Sequence, residues 1–465
     1  MSRAKYLLKN TAIFAIGTFS TKIISFLLVP MYTFVLTPSQ YGILDLIFLY
    51  ITILSPFVML NLGDSILRFS MDKDSNRNSI LSISLVTFFC GAIISFFLLP
   101  LFHLSSKFHE YSLLIIIYLI MYSGNILFTS YLRGSELLTE YTICNIVGSL
   151  MTALLNILFL VQFKWGIRGY LLAYIFSYTI TNLLAVILGK QFSVIKKFNF
   201  DKELFSKMFR YSIALVPNSL LWWVINSSDR LMVAGITGLT EAGIYGVSYK
   251  IPSMLSVFSN IFFQAWGYSA VKEMSSEDNL KYNNQVLLRL VSFLGLVTGF
   301  LLLIIKPLVS NIFQSDYFIS WQPSAYLISS FYFLSISTFV ATPYFTYKNS
   351  IGSMLSATVG AIVNLILNFV FIPLYGMNGA ALATLVSYIV VLLYRIFDTR
   401  KYLKLDICNR KIILISAIVV IMMITVLTSD KYYDLFLLLE FIILVLINKN
   451  FIQDIFLNLL KVRKK

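Results

Sequence analysis

Long apolar runs separated by short polar turns fill this sequence from end to end. A helix crosses bilayer hydrocarbon with about 20 mostly apolar residues, at a rise of 1.5 Å each. By that rule the pattern predicts fourteen spans. Six lie at 11–36, 42–66, 80–102, 111–132, 141–163 and 169–189. Six more lie at 211–236, 242–265, 286–305, 323–345, 352–373 and 378–397. The last two, 412–428 and 434–448, are short. No gap between spans is long enough for a folded domain. The longest are Lys190–Arg210 and Asp398–Lys411. In the first, FNFDKELFSKMFR sets Phe200, Leu204, Phe205, Met208 and Phe209 near one helical face. That predicts an amphipathic helix lying at the membrane surface. A plain polar linker is the alternative.

The pattern then repeats. Gln40–Leu46 reads QYGILDL and Glu241–Val247 reads EAGIYGV, an offset of 201. Gly166–Tyr178 reads GIRGYLLAYIFSY and Gly376–Tyr388 reads GMNGAALATLVSY, an offset of 210. Gly148 and Asn156 match Gly360 and Asn368 at 212. Glycine and polar positions in step are not expected of unrelated apolar helices. Six spans per half is an even number, so both halves start on the same membrane side, which makes the repeat parallel. The predicted organisation is a six-helix half at 1–189, a linker at 190–210, a six-helix half at 211–397, and two extra helices with a basic tail at 398–465.

Composition agrees with a polytopic all-α membrane protein. Of 465 residues 58% are hydrophobic and 12% charged, with mean hydropathy +0.83, whereas soluble domains carry about 25% charged residues. A net charge of +15 would suggest nucleic acid in a soluble chain. Here its distribution gives another meaning. With the N-terminus in the cytoplasm, 28 of the 36 Lys and Arg fall on the inner side and five on the outer, with three left inside spans. That bias predicts a multi-pass membrane protein with both termini cytoplasmic and no nucleic-acid partner. Arg3, Lys5 and Lys9 precede the first apolar run without a small-residue cleavage site, so the first span is expected to be retained. Three separated cysteines and two histidines in one short turn give no metal-ligand spacing.

Charge inside the spans supplies the candidate chemistry. A charged side chain at mid-bilayer costs roughly 2.5–3.5 kcal/mol on insertion scales, so it normally faces a partner or a wet cavity. Lys22 lies about 11 residues into the first span, near the midplane. It suits a cavity that meets an anion; a lysine bonded to backbone carbonyls is the plainer reading. Asp229 and Arg230 lie in the seventh span and Lys250 in the eighth. An ion pair between the two helices and a substrate or coupling-ion site are both open. Sequence neighbours point about 100° apart, so Asp229 and Arg230 should not face one spot squarely. Asp45, just inside the outer end of the second span, is either solvated or an ion-coupling residue. Arg68 and Arg133, at inner helix ends, are surface anchors or the first contacts of a phosphate, which a guanidinium binds through two oxygens. No GxxxxGK[ST], HExxH or GxSxG occurs, and the longest outer loop, about Lys306–Gln322, is small for a membrane polymerase.

The opening KNTAIFAIGTFSTKIISFLLVPMYTFVLTPSQYGILDLIFLY resembles the start of polysaccharide flippases. So do DRLMVAGITGLTEAGIYGVSYKIP from Asp229 to Pro252 and GMNGAALATLVSY from Gly376. These are the Wzx-type branch of the multidrug/oligosaccharidyl-lipid/polysaccharide exporter (MOP) superfamily. The resemblance implies two parallel-repeat six-helix bundles around a central cavity, working by alternating access. It implies an undecaprenyl-diphosphate-linked oligosaccharide as substrate, flipped from inner to outer leaflet for O-antigen or capsule. By position in the motifs, Lys22, Arg230 and then Lys250 would meet that substrate. No cofactor is implied beyond a coupling H+ or Na+, carried through Asp229 or Asp45. Further partners would be membrane lipid, a glycan polymerase and chain-length proteins. A multidrug cation exporter, a peptidoglycan-precursor flippase and a membrane glycan polymerase are the rival readings.

Overall fold

A computed structural model describes residues 20–71, 76–192, 198–273, 276–347, 349–428 and 432–454. The predicted start of the first span, several basic turn residues and the basic C-terminal tail lie outside the described residues. Every regular element described is helical. Nine helices are long and apolar enough to cross a membrane, among the described residues; Ser20–Val35 and Pro252–Phe263 are apolar but shorter. Large apolar side chains such as Phe97, Leu101 and Leu104 stand exposed. That is the surface of a protein whose outer solvent is lipid.

The chain divides into two compact units, Met1–Ser227 and Ser228–Lys465. The first contains α1 (Ser20–Val35), α2 (Pro38–Val58), α3 (Leu62–Ser70), α4 (Arg77–Ser95), α5 (Ser112–Gly134), α6 (Leu138–Asn156) and α7 (Gly166–Leu188). The division falls inside the next helix, α8 (Lys202–Ile236), rather than at the predicted linker. The cause lies in the amphipathic stretch. Met208 is fully buried, and Phe200, Leu204 and Phe205 pack against Met59, Leu62, Ile66 and Leu127 of the first unit. Burying each such side chain away from water stabilises by about 1.5–3 kcal/mol. The predicted face is therefore real, but protein covers it instead of the membrane surface. Asp201 caps α8, its Oδ1 accepting from the backbone N–H of Glu203 at 2.9 Å and Leu204 at 3.0 Å.

The second unit holds the rest of α8, then α9 (Leu239–Ser248), α10 (Pro252–Glu273), α11 (Asn279–Ile312), α12 (Trp321–Val340), α13 (Ser350–Thr399), α14 (Arg410–Thr428) and α15 (Tyr433–Ile447). α13 contains two predicted spans, separated at Gly376, whose φ of 56° and ψ of −136° are not helical. Its counterpart Gly166 has φ 55°, also left-handed. The repeat thus has a backbone basis, because this region favours glycine. The next glycines match as well. A Cβ on Gly169 would lie 3.1 Å from the Phe159 carbonyl oxygen, and one on Gly379 would lie 2.1 Å from that of Phe371.

These glycines give a graded expectation for alanine substitution. Gly166→Ala meets nothing within 4 Å, so it incurs only the left-handed backbone cost, about 1–2 kcal/mol. Gly376→Ala adds a Cβ 2.5 Å from Glu241 Oε2, a side chain that can move. Gly379→Ala collides with backbone and should lower the melting temperature of the purified protein most. Equal melting temperatures for Gly166→Ala and Gly379→Ala would contradict this packing.

Two predicted spans are broken. The second ends at Val58, turns through Leu60 and Asn61 with φ of 47° and 55°, and resumes as α3. The eighth breaks between α9 and α10, immediately before Pro252. A residue before proline is pushed out of the helical region, and proline itself is tolerated at a helix start.

Candidate functional site

The second break lies beside the buried charge. Asp229, on α8, is 2% exposed. An isolated carboxylate buried this way is costly unless it is hydrogen-bonded. Three donors surround it. The Tyr245 hydroxyl donates to Oδ2 at 2.8 Å, the Tyr249 hydroxyl donates to the same oxygen, and the Arg230 backbone N–H donates to Oδ1 at 2.8 Å. Tyr245 and Tyr249 are one helical turn apart, so they reach Asp229 from one face. Tyr245 ends α9 from within, whereas Tyr249 is its C-cap at the break.

The Arg230 guanidinium carbon lies 4.9 Å from the Tyr249 ring centroid, within cation–π range. Adjacent residues on α8 therefore do converge, against the expectation from their 100° separation. Tyr249 is long enough to meet Asp229 with its hydroxyl and Arg230 with its ring. Its ring also packs edge-on to Phe331, at 6.3 Å between centroids. Lys250 lies in the break, partly exposed. The hydrogen bonds described for Asp229 come from the tyrosines and the backbone.

The other predicted residues lie on α1, α2, α3 and α5. Lys22 is exposed on α1. Asp45 is buried on α2 at 8% exposure, which corrects the reading of a solvated residue. Arg68 is exposed near the end of α3. Arg133, near the end of α5, stacks on Tyr141 at 5.6 Å. Trp223 donates from Nε1 to Thr52 Oγ1 at 3.1 Å.

The sequence reading missed the tyrosines that hold Asp229, although their spacing of four on an apolar helix marks one face. It also missed an uncharged cavity of about 220 Å³ in the first unit, lined from α1, α5, α6 and α7. Asn145, Ser149 and Thr152 contribute from α6. Their spacing of four and three residues is a polar stripe on one helix face.

Solved structures share this helical membrane fold. An inward-closed lipid II flippase MurJ matches with TM-score 0.69 at 16% identity, over 97% of this chain and 100% of that one. A MOP-superfamily transporter from Pyrococcus furiosus matches with TM-score 0.60 at 15% identity, over 85% and 94%. An outward-facing multidrug resistance MATE transporter matches with TM-score 0.58 at 14% identity, over 85% and 94%. Residues 7–266 match the polysaccharide biosynthesis protein family, and the chain belongs to that family. An uncharacterised membrane protein of Methanocaldococcus jannaschii is 25% identical over 268 residues, 53% of this chain. That match spans 61% of the relative's length.

Proposed function

We propose that this protein flips undecaprenyl-diphosphate-linked oligosaccharide repeat units from the inner to the outer leaflet of the bacterial cytoplasmic membrane, for O-antigen or capsule. One conjunction carries the reading: membership of a polysaccharide biosynthesis family in a chain with a transporter fold. Lys22 attracts the diphosphate, with Arg68 or Arg133 as earlier contacts. Arg230 and Lys250 serve the substrate from the second half. Asp229 or Asp45 couples transport to H+ or Na+. Both termini are cytoplasmic by the Lys and Arg bias, and a glycan polymerase and chain-length proteins receive the product. The likeness to MurJ over nearly the whole of both chains favours one second reading, flipping of the peptidoglycan precursor.

Reconstitution separates these readings. Proteoliposomes are loaded with an undecaprenyl-diphosphate oligosaccharide, with lipid II or with a cationic dye. Appearance of the glycan at an external glycosidase is expected for the oligosaccharide lipid above protein-free vesicles. Exposure of lipid II alone would favour the second reading. Dye export without glycan exposure would overturn both.

A further inference from the structure

The uncharged cavity of the first unit has walls of a particular chemistry. None of its fourteen lining residues is charged. Most carry a hydroxyl or amide, and Tyr174 and Tyr178 add ring faces. The protons of five wall hydroxyls are already committed. Ser25 donates to the Thr21 carbonyl at 2.9 Å and Ser149 to that of Asn145 at 2.9 Å. Thr181 donates to the Ser177 carbonyl at 2.8 Å. Thr152 and Ser177 both reach the Gly148 carbonyl, at 2.9 and 2.8 Å, and lie 2.7 Å from each other. Each hydroxyl has one proton to give. One therefore bonds the carbonyl and the other its neighbour, and neither proton is left for a guest. Asn125 likewise spends an N–H on Asn182 Oδ1 at 3.1 Å. What these hydroxyls turn to the cavity is oxygen lone pairs, while the Asn145 amide and the second N–H of Asn125 supply donors.

Such a wall suits a neutral guest that both donates and accepts. A diphosphate brings only acceptors and would find no lysine or arginine among the described lining residues. A metal or organic cation would find no carboxylate, and an uncompensated charge at that depth is expensive. A sugar ring fits on each count. Its hydroxyls donate to the lone pairs, and its C–H face rests on the electron-rich faces of Tyr174 and Tyr178. Tyr118 lies against both, at centroid distances of 5.6 and 5.9 Å. The volume sets the size of the guest. About 220 Å³ is below the roughly 300–1,000 Å³ of sites that enclose drug-sized ligands, so it suits a single ring.

We infer that this cavity holds one uncharged sugar of the lipid-linked substrate and leaves the diphosphate outside. The inference rests on the flippase reading and assigns its sugar end. Lys22 supports the division of labour. It is the neighbour of Thr21, which lines the cavity, yet it is exposed and absent from the lining. A sugar seated in the cavity would leave its phosphates near that cation.

Native mass spectrometry of the purified full chain tests this with three lipids: undecaprenyl diphosphate, and the same lipid bearing galactose or N-acetylglucosamine. At least one sugar-bearing lipid should bind wild type about tenfold more tightly than the bare diphosphate, the effect of one or two hydrogen bonds. Asn145→Leu and Ser149→Ala should reduce that difference to about twofold or less while leaving bare diphosphate binding unchanged. Gel filtration verifies that both variants fold. Equal binding of all three lipids by wild type overturns the inference and spares the flippase reading. So does an undiminished preference in both folded variants. Failure of wild type to bind any of the lipids overturns both.

Discussion

Lys22→Ala is expected to reduce transfer of the lipid-linked glycan by at least about tenfold while the protein still inserts and accumulates. The expectation combines two opposite costs. A lysine at mid-span is unfavourable for insertion by roughly 2.5–3.5 kcal/mol, so removing it should not impair assembly. Lys22 is also exposed on α1, so its loss leaves no cavity to collapse. What alanine removes is a cation next in sequence to Thr21, which lines the cavity. Binding of bare undecaprenyl diphosphate should fall in parallel, whereas the cavity variants should leave it unchanged. Lys22→Arg keeps the charge and should retain most transfer, though its planar fork will not reproduce the ammonium geometry. Glycan display in cells and exposure in proteoliposomes are the two readouts. Wild-type transfer by a well-inserted Lys22→Ala protein would remove this residue from the mechanism.

The features most legible in the sequence were those carried by backbone constraint and by charge. Gly166 and Gly376 stood out as repeated glycines, and both adopt the left-handed φ that explains them. The apolar face of 200–209 was visible too. What covers it was not, because an amphipathic face looks the same whether lipid or protein lies against it. Breaks were harder. Pro252 was plain to see, but proline is common in membrane helices, where neighbouring groups re-satisfy the backbone. Whether it bends or interrupts a span depends on tertiary packing. Asn61 gave no clear sign that Leu60 beside it would also turn left-handed. Reading charges one at a time found Asp229 and Arg230 but not Tyr249, which joins them. Neutral polar residues were missed for a related reason. A single serine or threonine in an apolar helix is easily satisfied by its own backbone, so Ser149 or Thr152 alone says little. Only the assembled stripe, facing α1 and α7 residues in three dimensions, makes a cavity.

Asp229 allows stability and coupling to be separated by two substitutions. Asp229→Leu removes the acceptor of the buried Tyr245 hydroxyl and the part-buried Tyr249 hydroxyl, and the negative charge beside Arg230. Each stranded hydroxyl costs about 1–3 kcal/mol, and breaking a buried charge arrangement from one side typically costs about 3–5 kcal/mol. A large drop in melting temperature and in accumulated protein is expected. Asp229→Asn retains a carbonyl oxygen that can still accept from Tyr245 and Tyr249, so its folding cost should be much smaller. It nevertheless abolishes the charge. If Asp229 carries the coupling ion, glycan transfer by Asp229→Asn in proteoliposomes will no longer respond to an imposed Na+ or H+ gradient, while transfer down the substrate's own gradient persists. Tyr249→Phe provides the control, since it loses one hydrogen bond but keeps the carboxylate and the ring under Arg230. It should weaken stability modestly and leave the gradient response in place. A gradient response that survives Asp229→Asn would make this cluster a structural lock on the break between α9 and α10, and would move the search for the coupling site to buried Asp45.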